Sequence, residues 1–184
     1  VSDDVYDSYL EKVMEQQVNP GVCEGAGLKV VYTPLNGTGN KLVRKVLKKI
    51  GVEEITVVPE QELPDGNFTT CPYPNPEIKE ALQKGIELCE KVQPDLLLAT
   101  DPDADRVGIA VKDTDGEFVL LNGNQTGSLL INYILTAWQE QGKLTGNEYV
   151  ISTIVTTPLI QAICNEKGVE YFETLTGFKW IGQV

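Results

Sequence analysis

The segment DLLLATDPDADRVGIAV, Asp95–Val111, decides how the chain is read. Its first half is a short apolar run stopped by Asp and Pro, the mark of a buried strand. Its second half, VGIAVKD, pairs with EFVLLN across Thr114-Asp115-Gly116, a hairpin signature. Between them lies DPDADR, which sets Asp101, Asp103 and Asp105 at alternate positions directly after a strand. In open α/β sheets, ligands gather at the carboxyl ends of strands.

The pattern extends in both directions. Upstream, LKVVYTP reads as a strand, LNGTGN as a turn and Lys41 to Ile50 as a helix with Leu42, Val46, Leu47 and Ile50 inward, ended by Gly51. EITVVPE is a further strand, and a proline-rich loop, QELPDGNFTTCPYPN, follows. Asn75-Pro76-Glu77 predicts a helix start, running to about Val92 before Pro94. An opening helix is predicted over Asp3 to Gln17, with Val5, Tyr9, Val13 and Gln16 on one side and Leu10 and Met14 beside them. Downstream, Asn124 is read as the cap of a helix to about Gln141. EYVISTI is a strand, Thr157-Pro158 opens a helix that Gly168 closes, and VEYFETL is another strand.

Strand–helix alternation predicts an α/β fold: a mixed, mainly parallel sheet sandwiched by helices, then an incomplete second α/β domain of the same kind. The expected division is 1–121 and 122–184. The second part is thin for a core of its own, so the chain is expected to be cut within a domain.

Composition narrows the function. The 184 residues are 41% hydrophobic and 23% charged, a globular balance that argues against wholesale disorder. With 15 Lys and Arg against 27 Asp and Glu, the net charge of −12 argues against nucleic-acid binding and against an anionic membrane face. The chain has no His, which excludes a Ser-His-Asp triad, a Cys-His pair and His-ligated zinc. Cys23, Cys71, Cys89 and Cys164 form no C-x-x-C pair and read as reduced thiols of a cytoplasmic protein, with Cys71 the expected exposed one. The acidic, polar N-terminus is not expected to be a signal peptide. Phe118 to Gln139 is uncharged, but its Asn, Gln and Ser residues make membrane insertion costly. It reads as a turn followed by a buried helix.

Asp oxygens are hard ligands suited to Mg²⁺ or Ca²⁺. Three neighbouring carboxylates repel one another, and one should have a raised pKa unless a cation sits among them. A divalent ion together with Arg106 would bring the loop near neutrality, so that it could lie beside a phosphate. An EF-hand would need Gly and Glu where Arg106 and Lys112 stand, and is rejected. A phosphatase of the haloacid dehalogenase type, with Asp101 as nucleophile, is the alternative. A non-catalytic module binding sugars or a partner protein is a further one. Gly37 and Gly39 lack the full phosphate-loop pattern and read as a tight strand–helix turn.

ATDPDADRVGIAV resembles the metal-binding loop of the α-D-phosphohexomutase family, which includes the phosphoglucomutases and phosphomannomutases. TPLNGTGN resembles that family's TPLHGTG segment, with Asn36 in place of a frequent His. PDGNFTTCPYPNPE resembles the loop before the metal site, in a form closer to the bacterial phosphoglucomutase branch. TLTGFKWIG resembles a third-domain loop near the sugar. The resemblance covers the chain from about Val5. It implies a second domain plus the first part of a third, from an enzyme of four domains.

Such an enzyme moves a phosphoryl group between the 1 and 6 hydroxyls of a hexose through a phosphoserine and a bisphosphate intermediate. The resemblance implies that Asp101, Asp103 and Asp105 hold Mg²⁺, and that Arg106, Thr176 and Gly177 face the phosphorylated hexose. Glucose 1,6-bisphosphate would be the parent enzyme's activator. The phosphoserine segment has no counterpart in this sequence, so no catalytic residue is assigned and the fragment is expected to be inactive alone. Its expected partners are the parent's other domains, and a second copy through the incomplete domain.

Overall fold

The computed structural model describes residues 2–184. In chain order the elements are α1 (Asp3–Met14), β1 (Lys29–Thr33), α2 (Gly39–Lys49), β2 (Glu54–Val57), the single turn α3 (Pro59–Glu62), α4 (Lys79–Val92), β3 (Leu96–Thr100), β4 (Val107–Lys112) and β5 (Phe118–Leu121). There follow α5 (Gly123–Glu140), β6 (Tyr149–Thr153), α6 (Leu159–Lys167), β7 (Glu170–Thr174) and the short α7 (Phe178–Ile181). The chain forms two compact units, one reaching to Asn122 and the other Gly123–Val184.

The first unit is an α/β sandwich around a five-stranded mixed sheet of order β2-β1-β3-β4-β5. β1 pairs in parallel with β2 and β3, and β3-β4 and β4-β5 are antiparallel. The parallel strands at its centre are buried on both faces, as their unbroken apolar runs require: Val30, Val31, Tyr32 and Thr33 are at most 1% exposed. On one face Val31, Leu97, Ala99 and Ala110 pack with Leu82 and Cys89 of α4 and with Val58. Gly85 lets α4 press on the sheet there, since a Cβ would lie 2.8 Å from Leu97 Cδ1. On the other face Leu98 lines a cavity of about 600 Å³ together with α2 residues Leu42, Val46 and Leu47, α1 residues Tyr9 and Val13, and Asp103. The β4–β5 turn is tied by Asp113, whose Oδ1 accepts the Asp115 and Glu117 N–H groups.

The second unit is smaller. β6 and β7 form a two-stranded parallel sheet joined through α6. Leu135 of α5, Ile160 and Cys164 of α6, and Val169 form its core, with Ile131, Val150, Ile163 and Tyr171 packed around them. Gly168, at φ +70, closes α6 in the left-handed region that glycine adopts at little cost.

Several boundaries depart from the sequence reading. The first turn expected at Asn75-Pro76-Glu77 is separate from α4. Asn75 Oδ1 accepts the Glu77 N–H, and Ile78 is extended (φ −107, ψ 139) before the helix begins. Asn124 lies inside α5, not at its cap, and its Oδ1 accepts the Thr157 N–H at 3.0 Å. In α1 only Leu10 is buried, whereas Val5 and Tyr9 are more than half exposed, because the helix packs on α2 along a narrow line. The uncharged stretch begins as strand β5, and α5 leaves Leu129, Leu130 and Tyr133 exposed. Among the described residues no helix is long and apolar enough to cross a membrane.

Cys71 is buried against Leu35 and Ala81, not exposed. Its thiol reaches the Tyr73 carbonyl oxygen, and burial pushes its pKa up. Cys23 is the half-exposed cysteine, and all four are free.

Candidate metal centre

The DPDADR loop joins β3 to its antiparallel neighbour β4, at the end of the central strand. Asp101 continues directly from β3 and is only 7% exposed; Asp103 and Asp105 are exposed. Each of the three offers one carboxylate oxygen to a common group, and these oxygens all lie within 4.8 Å of one another. The alternate spacing does not achieve this by itself. Ala104 between them takes φ +62, which folds the loop back on itself, and the Ala104 N–H is accepted by the Asp101 carbonyl at 3.0 Å. Asp101 Oδ1 accepts the Arg106 N–H at 2.9 Å, closing the loop.

The electrostatics follow from this crowding. Burial pushes the Asp101 carboxyl up, but the Arg106 N–H, hydrogen bonds with Asp103 and Asp105, and the Arg106 guanidinium together bring it below its ordinary value. Asp103 moves the other way. Its hydrogen bond to Asp101 and the charges of Asp105 and Asp101 raise its pKa. Three crowded carboxylates disfavour being charged together, a repulsion that a divalent cation among them would relieve. Closely spaced hard oxygen donors of this kind fit Mg²⁺.

The strand–helix turn after β1 forms a second wall. The Thr38 N–H and Oγ1 both donate to the Pro102 carbonyl, at 2.8 and 3.2 Å. Gly37 is required by space: a Cβ there would lie 2.4 Å from Pro102 Cα. At Gly39 a Cβ would meet Thr100 Oγ1 at 2.7 Å and the Tyr32 hydroxyl at 2.8 Å. Tyr32 and Thr100 share a buried hydrogen bond of 2.8 Å immediately before Asp101. The positive φ values of this turn fall on Leu35 (47°) and Asn36 (60°). Asn36 is buried, and its Nδ2 donates to the carbonyls of Leu63 (2.7 Å) and Glu60 (3.3 Å), linking the turn to the loop after α3. Gly108 is a further tight position, where a Cβ would fall 2.2 Å from the Pro76 carbonyl oxygen.

Asp101, Asp103, Asp105 and Arg106 thus share one loop. The Arg106 side chain is about half exposed, with Nε 4.0 Å from Asp105 Oδ1, a surface pair contributing about 0–1 kcal/mol. Its guanidinium is therefore loosely held. Thr176 and Gly177 belong to the second unit, after β7. Thr176 is exposed, and Gly177 takes φ +127 before α7, a backbone that excludes other residues without strain. The contributions of Tyr32, Thr100, Gly108 and Pro76 were missed from sequence. The Gly in VGIAV, a small residue within a strand, was the available signal.

A strand-end loop with three convergent carboxylates, buttressed by a glycine turn, defines an α/β protein whose loop could hold a divalent cation. The chain belongs to the phosphoglucomutase/phosphomannomutase family: the model of its alpha/beta/alpha domain II matches residues 7–116, and that of domain III matches 122–184. A curated phosphoglucomutase of Staphylococcus aureus (strain MRSA252) is 37% identical over 179 residues, covering 97% of this chain but 31% of its own length. The chain therefore spans about a third of such relatives. Among solved structures, a phosphoglucomutase/phosphomannomutase family protein of Burkholderia thailandensis superposes with a TM-score of 0.73 at 24% identity, over 97% of this chain and 35% of the other. The N-acetylphosphoglucosamine mutase of Aspergillus fumigatus, solved with GlcNAc-6P and magnesium, superposes at 0.61 and 19% identity, over 97% and 34%. At these identities the superpositions establish the fold.

Proposed function

We propose that the chain is part of a phosphoglucomutase-type enzyme that interconverts hexose 1-phosphate and hexose 6-phosphate through a phosphoserine and a bisphosphate intermediate. The observation that carries this reading is the convergence of Asp101, Asp103 and Asp105 within 4.8 Å in a chain of this family. Residues 1–121 act as the second domain and 122–184 as the first part of the third. The name phosphoglucomutase, carried by relatives at 37% identity, supports glucose phosphates as the substrates. Glucose 1,6-bisphosphate would be the parent's activator. The free cysteines fit a cytoplasmic setting.

Asp101, Asp103 and Asp105 would hold Mg²⁺, and magnesium in a distant relative's sugar-phosphate complex supports that choice. Bound there, the ion supplies Lewis-acid polarisation and charge neutralisation to phosphoryl transfer. Asp101 is the fixed ligand, because the Arg106 N–H and burial orient its carboxylate. Asp103 and Asp105 are the adjustable ones. Arg106, held loosely by Asp105, is free to turn its planar guanidinium to a phosphate. Thr176 and Gly177 offer a hydroxyl and a backbone without a side chain to the sugar. The chain supplies no nucleophile and is inactive alone. The family assignment favours this reading over the phosphatase alternative.

Two measurements test this. Calorimetry should find weak Mg²⁺ binding by this chain, because a phosphoserine oxygen is missing, and Asp101→Asn should abolish it. A sub-micromolar affinity, or binding that survives the substitution, would overturn the assignment. Phosphorus NMR of glucose 1-phosphate with Mg²⁺ and a trace of glucose 1,6-bisphosphate should show no change. Glucose 6-phosphate would mean that a nucleophile is present, and free phosphate would restore the Asp101 phosphatase reading. Sizing should also reveal self-association through the apolar surface of the second unit, and a monomer at high concentration would count against that.

A further inference from the structure

Helix α2 concentrates positive charge in an acidic protein. Lys41, Arg44, Lys45, Lys48 and Lys49 are five of the chain's 15 cationic side chains, and the helix has no acidic residue. Lys41, Lys45 and Lys48 stand four and seven residues apart, so they line one face over about 10 Å. That face forms one wall of a cavity of about 470 Å³ between α1 and α2. Besides these lysines, Asp3, Tyr6, Leu42 and Arg44 line it. Its volume is in the range of small-molecule sites, about 300–1,000 Å³.

The charges are only partly compensated from within. Arg44 Nη1 binds Glu62 Oε1 at 2.7 Å and Asn40 Oδ1 at 3.2 Å. Lys45 Nζ lies 3.9 Å from Asp7 Oδ1 and 5.6 Å from the centre of the Tyr6 ring. Asp3 is the one acidic group in the cavity wall. Among the described residues the side chains of Lys41 and Lys48 have no ion-pair or hydrogen-bond partner. Lys48, in the last turn of α2, is favoured by the helix dipole. Lys41 is not. It is the third residue of the helix, at the end where the dipole disfavours a cation and attracts an anion.

We infer that the α1–α2 cavity is a second anion site, which takes a small molecule carrying two or more phosphates. Lys41 and Lys48 engage separate phosphates, and Lys45 and the Tyr6 ring form the floor between them. A concave groove, half open to solvent, favours such a ligand over a flat acidic protein surface. No residue of the 101–106 loop lines this cavity, although the adjoining one, which shares Tyr6, Lys41 and Leu42 with it, reaches Asp103 and Ala104.

The test is calorimetry of the whole chain with inorganic triphosphate in metal-free, low-salt buffer. One equivalent should bind. The double variant Lys41→Gln/Lys48→Gln should weaken binding about tenfold, since paired charges at a partly enclosed site are screened less than exposed ones. Both side chains are exposed, so the fold should be retained, which thermal melting verifies. Lys12→Gln/Lys143→Gln, an equal charge change elsewhere, should leave the affinity unchanged. The inference is overturned by any of three results: no binding, equal loss in the control double variant, or a poly-glutamate peptide displacing triphosphate at equal charge.

Discussion

The two units run the same strand–helix–parallel strand motif to different degrees of enclosure. In the first, β1-α2-β2 is extended by β3, β4 and β5, and every β1 residue after Lys29 is buried. In the second, β6-α6-β7 stands as two strands, and only Ser152 of β6 is buried. Ser152 shares a 2.7 Å hydrogen bond with the Tyr171 hydroxyl, so even that buried position is polar. The second unit also leaves Leu129, Leu130, Ile154, Val155, Leu159, Leu175 and Phe178 exposed within 62 residues. A buried central strand needs neighbours on both edges and helices on both faces. The first unit supplies them, and it is there that the chain holds three carboxylates close together.

The largest test of this contrast is truncation of matched core residues. Leu97→Ala removes a side chain from the middle of the first core and should destabilise that unit by about 4 kcal/mol; Leu135→Ala, in the smaller core, should cost about 2 kcal/mol. Hydrogen exchange read by mass spectrometry should show the first loss in β1, β3 and β4 and the second in α5 and α6. Equal losses would erase the contrast. Gly108→Ala should follow, at about 2 kcal/mol, since its Cβ meets backbone at Pro76 and the neighbour cannot move freely. It should also loosen the loop after Thr100, read as faster exchange at Ala104 and Arg106.

The next effect is on binding. Gly37→Ala should weaken Mg²⁺ binding about tenfold by displacing Pro102, without removing any ligand. Calorimetry beside Asp101→Asn separates a ligand from its support.

The smallest effect is a pair of opposite pH responses. Asp103 has a raised pKa in the fold, so its contribution is present at pH below its ordinary 3.8 and is lost as pH rises through the folded value. Asp103→Asn should remove that loss. Glu148, in the second unit, is held down to about 2 by the Thr145 N–H and hydroxyl and the Gly146 N–H. Its contribution is present above the ordinary 4.5 and is lost as pH falls towards 2. NMR titration of the two carboxyl carbons would show midpoints displaced in opposite directions.

The sequence by itself determined the strand–helix order, the hairpin at Asp113 to Glu117 and the acidic loop, because these depend on local periodicity and turn chemistry. It also carried the family resemblance, which rests on short contiguous motifs. It misplaced the start of α4 and the role of Asn124, because Asn beside Pro or Gly favours a turn equally well inside or outside a helix. It misjudged Cys71, whose burial comes from Ala81 across the loop and from Leu35, which is distant in sequence. Only the tertiary structure decided that Gly37 and Gly108 are spacers against Pro102 and Pro76, and that three alternate aspartates converge. A strand period would send alternate side chains to the same face but keep them about 7 Å apart. It is the left-handed turn at Ala104 and the hydrogen bonds from Arg106 to Asp101 and from Thr38 to Pro102 that draw them together.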